Sequence, residues 1–554
     1  MALPPRCQRL DIPLTFMVTP HSPRHANASP GKLIQATAAP GGGMLGRRVK
    51  RALVFGICGA FIAGFLYIVY GLVFYDSLCC ADDAYIAIAA KNLASGYGYA
   101  SSVPVPYQGG QGLRLFDPAL STGPMLVLPA AALIKVFGAT AWAPGLATAL
   151  VTTILLIILT LVAGRRVGAL RALTYVALML ALQYALTAGS RFASWYSLLG
   201  EVPAALLTVL GVAVLVWGQG GRRTVAGGFL ALGLALMAKT LALLGAIPVG
   251  IWLVVLLVRS GGRSRREWVD LAVGAGSFSA PFLAFEAWKA VSLGPNRYLL
   301  NIKDFGKFLS STGGGSEATD SASIWHRIVV NSAVLRDSYG FGPLLLLVVV
   351  AALCLLIQTS AEPRTKTFCW LIFAGGLTHI LYFVTRSTGN PRYALIGLLI
   401  LAAGAACAVL VNRPGRAAVA SAAIVALAWL PAHSLLLGPV TAAAKDAFRP
   451  SQRVQNLQAA ATFLTGVHHD KPLVGAWWAT VDDLEYMLPS VSNFVRVEDT
   501  DPKEMHKGRV LARNEKWALL APSALFATWE RTCDKVLFDA KPYLVTACPA
   551  DTSR

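Results

Sequence analysis

The stretch Arg47-Arg48-Val49-Lys50-Arg51, followed by ALVFGICGAFIAGFLYIVYGLVFY at residues 52–75, decides the fold class of this chain. A hydrocarbon core about 30 Å thick needs roughly 20 apolar residues per helix, so this run is long enough to cross a membrane. It contains no small-residue cleavage site and is typical of a retained anchor. The basic residues before it predict a cytoplasmic N-terminus.

Apolar stretches of this length recur along the chain. The 554 residues are 55% hydrophobic and only 14% charged, a composition with which a soluble domain would precipitate. We therefore predict an all-α polytopic membrane protein with about eleven transmembrane helices. The predicted spans are 52–75, 142–163, 170–189, 201–217, 224–240, 241–258, 268–289, 341–358, 367–385, 393–411 and 417–438.

Basic residues between the spans predict the orientation. The apolar stretch from Pro124 to Gly138 is too short to span and is expected to lie at the membrane interface. Only then do the basic loops at Arg165, Arg222 and Arg364 all become cytoplasmic. The regions that then face outward are 76–141, 190–200, 290–340, 386–392 and 439–554, which fits a multi-pass protein of the bacterial inner membrane.

The chain divides into three predicted regions. Residues 1–50 are expected to be a disordered cytoplasmic segment, 51–438 the transmembrane domain, and 439–554 a small α/β domain outside the cytoplasm. Cys533 and Cys548 lie in that last domain, where an oxidising compartment would let them form a disulfide. The β-prone runs of the domain are 473–478, 494–497, 517–520 and 543–546.

The positive charge does not indicate nucleic acid. The formal net charge is +20, but much of the Lys and Arg lies in short runs between apolar segments, which is typical of membrane orientation signals. The nine cysteines show no metal-ligand spacing such as CxxC. No metal site is predicted, and a monomer is expected.

The first outer loop begins with two acids, Asp82 and Asp83, followed by Tyr85, Ile88 and Leu93 at helical spacing. A carboxylate pair at the membrane surface is suited to act as a general base or to hold a cation. Capping of the helix by these carboxylates is the structural alternative.

Two further ionisable residues lie at the ends of spans. Glu201 begins one, where an acid must face a polar cavity or cost stability; a favourable place in the helix dipole is the alternative. Lys239 stands between two apolar segments near the outer leaflet. A compact cation at that depth suits a lipid phosphate beside a wall that could hold a prenyl chain, whereas snorkelling to the interface is the structural alternative.

Outward-facing basic residues form two more candidates. Arg386, Arg392 and Tyr393 surround a tight outer turn, where positive charge breaks the orientation trend and indicates an anionic partner. Arg297 and Tyr298 are a weaker pair, because long outer loops tolerate charge.

The order of these features resembles the GT-C class of membrane glycosyltransferases. The similar features are Asp82-Asp83 before Tyr85, a helix ending at Gly96, Gly123-Pro124, a short interfacial helix ending at Gly138, the stretch 233–240, and Pro-Arg-Tyr at 391–393. Within the class, the sequence is similar to the branch of the lipid A aminoarabinose transferase, the protein O-mannosyltransferases and the arabinofuranosyltransferases. Its Asp-Asp-Ala-Tyr-Ile form is closest to the last group.

The resemblance implies an inverting transfer of a sugar, a pentose such as arabinofuranose or a hexose, from a polyprenyl-phosphate donor. The acceptor would be a cell-envelope glycan, lipid or protein on the outer side. By position, Asp82 matches the base toward the acceptor hydroxyl, Asp83 its acidic neighbour, and Glu201 a second acid. Lys239 matches a basic residue that holds the donor phosphate. We place Tyr85, Arg297 and Tyr298 at the acceptor or in a lid over it.

One position departs from the pattern. Many relatives carry Lys-Pro where this chain has Gly123-Pro124, so a phosphate-binding lysine is missing. Arg114, Lys239 or Arg392 would then take its part, with Arg386 and Tyr393 beside the last of these. No cofactor is required by such a reaction, although a divalent cation would be compatible with it.

Two other functions remain open at this stage. A lipid-linked oligosaccharide ligase or polymerase would also use a lipid-linked sugar, but usually relies on a large basic outer loop without an acid pair. A transporter would show internal repeats and broken helices around a midplane site, and this sequence shows neither a repeat nor a midplane charge pair.

Overall fold

The computed structural model describes most of the chain. The described residues are 42–76, 78–102, 113–187, 194–218, 221–259, 265–308, 323–340, 342–360, 362–387, 389–407, 448–466, 473–474, 482–488, 495–496, 510–515 and 524–548. The predicted span 417–438, the β-prone run 517–520 and most of the predicted N-terminal segment lie outside them.

Helices dominate the described part. In chain order they are α1 (Gly42–Tyr75), α2 (Ala81–Ala94), α3 (Pro124–Phe137), α4 (Ala143–Val167), α5 (Ala169–Thr187), α6 (Glu201–Trp217), α7 (Arg222–Ala238), α8 (Leu243–Arg259, preceded by a 3-10 turn at Thr240–Ala242), α9 (Arg265–Phe308), α10 (Ile324–Tyr339), α11 (Gly342–Ser360), α12 (Pro363–Arg386), α13 (Arg392–Ala406), α14 (Gln452–Gly466), α15 (Asp482–Met487) and α16 (Ala524–Thr532).

The strands form two small sheets. They are β1 (Ala100–Ser102), β2 (Leu113–Leu115), β3 (Leu473–Val474), β4 (Val495–Arg496), β5 (Val510–Asn514), β6 (Lys535–Ala540) and β7 (Tyr543–Ala547). Strands β1 and β2 pair antiparallel in the first outer loop. The other five form a mixed sheet in the order β4-β3-β5-β7-β6.

Length and composition allow six of the described helices to cross a membrane, or up to seven if the bent pair α10–α11 counts as one span. This is fewer than the eleven predicted. Within the described residues, each of the other ten predicted spans does fall on a helix. Helices α6 and α13 are apolar but only 17 and 15 residues long, which at 1.5 Å per residue is shorter than a typical hydrocarbon core.

Helix α3 matches the predicted interfacial helix. Its 14 residues from Pro124 to Phe137 span only about 21 Å, too little to cross. Pro124 stands in the first turn, where its missing N–H costs nothing, and Gly138 ends the helix with a φ of 80°.

The described residues of the predicted outer loop 290–340 are largely helical. Helix α9 continues to Phe308, and α10 begins at Ile324. The backbone of α9 breaks at Gly294, whose φ of 72° lies in the left-handed region. Pro295 then starts the second part, because a proline at the first helical position is already set for helix.

Two hydrophobic cores hold the described chain together. The larger one lies among the apolar helices of the membrane region. The second joins α2 and α3 to the C-terminal sheet, for example Ala84 and Ile88 with Leu484, Val510 and Tyr543. The C-terminal residues therefore share a core with the first outer loop.

The C-terminal region has the α/β character predicted from its sequence. The runs 473–478, 494–497 and 543–546 contain β3, β4 and β7, whereas β5 and β6 were not expected. Cys533 and Cys548 form the predicted disulfide.

Close packing of α7 on α9 gives a testable prediction. A Cβ on Gly233 would overlap the backbone of Phe278, whereas one on Gly59 in α1 would meet no atom within 4 Å. Overpacking typically costs about 1–3 kcal/mol, while alanine in an open helix position is favoured over glycine by about 1 kcal/mol. We expect Gly233→Ala to lower the apparent melting temperature in detergent and Gly59→Ala to leave it unchanged or raise it. Equal melting temperatures for the two variants would contradict the packing described here.

Candidate active site

Helix α2 begins a few residues after α1 and carries the acid pair in its first turn. Carboxylates are stabilised there by the helix dipole. The N-cap residue is Cys80, which makes no side-chain capping bond. The two acids point to different surroundings, so they have different chemical possibilities.

Asp82 belongs to a cluster of four charged side chains, Asp82, Glu201, Lys239 and Arg392, which we call the charge cluster. Arg392 Nη1 lies 2.5 Å from Asp82 Oδ2, and Arg392 Nε lies 3.0 Å from Glu201 Oε1. Lys239 Nζ lies 3.5 Å from the same Glu201 oxygen. The fold thus brings together four of the residues singled out from the sequence.

Each member of the charge cluster stands at the end of a helix. Glu201 is the first residue of α6, Lys239 follows α7, and Arg392 is the first residue of α13. Gly200 allows the close approach, since its φ is 87° and a Cβ there would lie 2.6 Å from the carbonyl oxygen of Ala238. Glu201, Lys239 and Arg392 meet because the ends of α6, α7 and α13 lie close together.

The charge cluster is partly open at one end. The side chains of Glu201 and Lys239 are 1% and 2% exposed, whereas those of Asp82 and Arg392 are 29% and 18% exposed. The two negative and two positive formal charges of the cluster sum to zero. An incoming anion could therefore bind Arg392 only by competing with Asp82 or Glu201.

Asp83 is held differently. Its carboxylate accepts hydrogen bonds from the backbone N–H of Cys79 at 3.0 Å and of Leu198 at 2.7 Å. The side chain is buried, and burial raises the pKa of Asp83 to about 6, although both hydrogen bonds act in the opposite direction. It attaches α2 to the segment before α6. Neither N–H belongs to the first turn of α2, so these bonds differ from the capping alternative for this acid.

Lys239 also contacts the segment before α3. Its Nζ donates to Ser121 Oγ at 2.9 Å, and Lys239 pairs with Thr122 through an antiparallel bridge. A Cβ on Gly123 would overlap the carbonyl of Met237. A lysine at position 123 would not fit this contact, which gives a physical reason for the departure from the Lys-Pro pattern.

A cavity of about 370 Å³ lies on the other side of this segment. Its walls come from residues 116–124, the end of α7 and the middle of α9. A mostly apolar groove of about 410 Å³ continues along α3 and α9 and shares Pro124, Met237 and Phe285 with the cavity. Ser121, which lines the cavity, connects it to Lys239 of the charge cluster.

The polar side chains on the far wall of this cavity were not predicted from the sequence. Lys289 Nζ lies 2.7 Å from Glu286 Oε1 and 4.6 Å from the centre of the Phe285 ring. Tyr298, which was predicted, donates to Glu286 Oε2 at 3.1 Å. The i, i+3 spacing of Glu286 and Lys289 was a signal, but charges at the end of an apolar run usually mark only the span end.

Arg114 and Tyr85 are engaged away from the charge cluster. Arg114 lies 2.8 Å from Asp304 and 3.6 Å from Asp117. Tyr85 is buried and donates to the Asp117 carboxylate. Asp117 itself is buried and lines the cavity, so both residues shape its wall.

The remaining predicted residues are more peripheral. Arg297 and Arg386 are exposed, and Arg386 has no ion pair with another residue of the described part. Tyr393 packs against the membrane core. No group of three or more His, Cys, Asp or Glu side chains within the described ranges is placed to hold a metal ion.

The C-terminal region packs on α2 and contacts it through hydrogen bonds. Lys91 Nζ donates to the backbone oxygens of Glu485 at 2.6 Å and Leu488 at 3.0 Å. Burial lowers the pKa of Lys91 to about 8. Tyr486 OH donates to the oxygen of Thr140 at 2.9 Å. The helix that carries Asp82 is thus fixed at both ends, by Asp83 and by Lys91.

Neither a family model nor a curated protein matches the sequence. Solved structures do match it in fold. ArnT from Cupriavidus metallidurans bound to undecaprenyl phosphate gives a TM-score of 0.53 at 14% identity, over 89% of this chain and 98% of that chain. Apo ArnT gives 0.51 at 15% identity with the same coverage. The oligosaccharyltransferase AglB from Archaeoglobus fulgidus, in complex with an inhibitory peptide and a dolichol-phosphate, covers 92% of this chain and 75% of its own, at 11% identity and a TM-score of 0.45.

The likeness to ArnT confirms the GT-C type of fold predicted from the sequence, but not the predicted eleven spans. The chain is a membrane protein with the fold of the GT-C class. The TM-score of AglB is too low to support an argument. At these identities the likeness concerns the fold alone.

The pKa of Asp83 gives a prediction about stability. Its carboxyl ionises near pH 3.8 without burial but only at about pH 6 in the fold. The folded state therefore binds more protons in this window, and stability falls as the pH rises from about 4 to 6. Relative to Asp83→Asn, wild type should lose on the order of 3 kcal/mol over that range.

The measurement is the apparent melting temperature of the detergent-solubilised protein at each pH. Asp337→Asn, a change at an exposed side chain, is the matched control and should follow wild type. Parallel pH curves for wild type and Asp83→Asn would show that Asp83 does not titrate in this window.

Proposed function

We propose that this protein is an inverting glycosyltransferase that moves a sugar from a polyprenyl-phosphate donor to an acceptor hydroxyl. The observation that carries the proposal is the charge cluster, which joins a partly exposed acid to two cations next to an apolar cavity and groove. A lipid phosphate and its prenyl chain need both surroundings together.

In this proposal Arg392 and Lys239 bind the donor phosphate. The leaving group is a phosphate that carries negative charge, so it needs neutralisation rather than protonation. The first isoprene units would lie in the groove along α3 and α9, which is mostly apolar. The contact from Lys239 to Ser121 leads from the charge cluster to the cavity.

Asp82 is the proposed base. Its carboxylate is bound by Arg392. A donor phosphate that takes over this guanidinium would release Asp82 to accept the proton of the acceptor hydroxyl. The hydroxyl oxygen then bonds to the anomeric carbon on the face opposite the phosphate. The bond between that carbon and the phosphate oxygen breaks, and its electron pair stays on the departing polyprenyl phosphate.

The other two acids have supporting parts in the proposal. Glu201 holds Arg392 and Lys239 at one carboxylate oxygen, so that both cations face the donor. Asp83 positions α2 through its two backbone contacts and does not itself exchange protons with the substrate.

We place the sugar acceptor on the side of the charge cluster where Asp82 and Arg392 are exposed. The proposed reaction is on the outer side of a bacterial inner membrane, with a pentose such as arabinofuranose or a hexose as the sugar. A cell-envelope glycan, a lipid or a protein would be the acceptor. Exposed Arg297 is proposed to contact it, whereas Tyr298 lines the donor cavity beside Glu286.

A donor panel tests the base. Purified protein is incubated with polyprenyl-phosphate sugars that differ in the sugar, and released polyprenyl phosphate is measured. We expect Asp82→Asn to lower turnover by about 10²-fold or more, as for loss of a general base. Asp337→Asn, the same change at an exposed site, should stay within about twofold of wild type. Equal turnover of wild type and Asp82→Asn would remove Asp82 from this role.

A substitution of Lys289 tests whether the cavity binds the donor. Lys289 is a candidate for the cation absent at Gly123, because its ammonium lines the cavity from α9. We expect Lys289→Met to raise the KM for the donor by about tenfold, or about 1.4 kcal/mol, with little change in kcat. Lys135→Met, at an exposed lysine, should not change the KM.

A double variant separates binding from structure. If Lys289 only neutralises Glu286, then Glu286→Gln together with Lys289→Met should restore the wild-type KM. If Lys289 binds the phosphate, the KM of the double variant for the donor stays raised. A restored KM would contradict the donor role.

A further inference from the structure

Two adjacent cysteines lie one residue before the acid pair. The sulfurs of Cys79 and Cys80 are 2.9 Å apart, and both residues are partly exposed. They occupy the link between α1 and α2, two and three positions before Asp82. The proposed sugar transfer assigns no function to these two thiols.

The thiol pair lies in the same compartment as a disulfide. Residues Cys533 and Cys548 are bonded in the C-terminal region, and that region packs directly on α2 through Lys91. Because no membrane can pass between surfaces in direct contact, the C-terminal region and α2 are on one side. Disulfides persist in oxidising compartments, so Cys79 and Cys80 are exposed to the same redox conditions.

We propose that Cys79 and Cys80 are a redox modification site, at which a vicinal disulfide forms and changes the N-terminal turn of α2. The inference goes beyond the proposed function, because the chemistry of the thiol pair does not depend on sugar transfer.

The oxidant is a disulfide, supplied by a small molecule or by another protein. The Cys80 thiolate attacks one sulfur of that disulfide, which forms a mixed disulfide and releases the first thiolate. The Cys79 sulfur then attacks the Cys80 sulfur and releases the second. The two cysteines lose two electrons and two protons in total, and the oxidant becomes two thiols. Contact with Cys80 and burial raise the pKa of the Cys79 thiol, which disfavours the thiolate form of Cys79.

Such a bond is expected to be reversible. Consecutive Cα atoms are about 3.8 Å apart, less than the roughly 4.4–6.8 Å that disulfides prefer. The strain of the small ring makes the bond easier to reduce than an ordinary structural disulfide. The pair can therefore respond to changes in redox conditions that leave Cys533–Cys548 intact.

The thiol pair is coupled to the acids through the backbone. The N–H of Cys79 donates to Asp83, and the C=O of Cys80 accepts from the N–H of Ala84 at 3.1 Å. Leu78, just before the pair, already has a strained φ of 55°. Ring closure must change the torsions between these contacts, so it shifts the first turn of α2, in which Asp82 lies.

Differential alkylation tests the site. The full-length protein is equilibrated with oxidised and reduced glutathione at several ratios, alkylated while unfolded, reduced, and alkylated again with a second reagent. We expect the peptide that contains positions 79 and 80 to gain the second label on both cysteines as the ratio becomes oxidising. Before reduction, the same peptide should be 2 Da lighter than the dithiol, without a partner peptide. Cys58, buried in α1, is the control and should keep the first label throughout.

Hydrogen exchange of residues 81–86 tests the effect on α2. We expect amide exchange there to change by about tenfold between the reduced and oxidised forms, with no redox response in the double variant Cys79→Ser, Cys80→Ser. First label on both cysteines at every ratio, or crosslinking to another cysteine, would overturn the proposal. A vicinal disulfide with unchanged exchange at 81–86 would overturn the coupling to α2. Neither measurement requires sugar transfer, so failure of the proposed function would leave both results interpretable.

Discussion

The described fold depends on one buried carboxylate. Glu201 is 1% exposed, and one of its oxygens lies within ion-pair distance of both Lys239 and Arg392. A charge buried in this way is tolerated only when it is paired, and removal of one partner leaves an uncompensated charge that costs several kcal/mol. The ends of α6, α7 and α13 are therefore held at one point, and Asp82 joins them through Arg392.

Backbone contacts set the distances on which this pairing depends. Gly123 and Gly200 let their segments approach the carbonyls of Met237 and Ala238 more closely than any side chain would allow. Small residues at helix contacts have the same effect in membrane proteins generally. The absence of a side chain at position 123 also opens the wall that faces Glu286 and Lys289. A glycine that looked like a missing ligand is thus a condition for the packing.

Much of this arrangement could be predicted from the sequence, because the bilayer imposes local rules. Apolar length marks the helices. Asp82 was found as part of an adjacent acid pair, Glu201 and Lys239 because each lies in an apolar stretch, and Arg392 because outward positive charge breaks the orientation trend. Glu286 and Lys289 were missed because charges at a span end are ordinary. The burial of Asp83, the helical course of 290–308 and the shared core of Ile88 with Val510 follow from contacts between distant segments, which no local pattern contains.

The shared core of the first outer loop and the C-terminal sheet has a consequence for biosynthesis. Ile88 and Tyr543 belong to one hydrophobic cluster, yet the ribosome adds the second about 450 residues after the first. At about 5–20 residues per second, that interval is roughly 25–90 s. During this time the part of α2 that packs on the C-terminal region has no permanent cover, although α3 already covers the rest. A nascent chain of this kind therefore depends on a temporary neighbour, a chaperone or the lipid surface itself, until its last strands arrive.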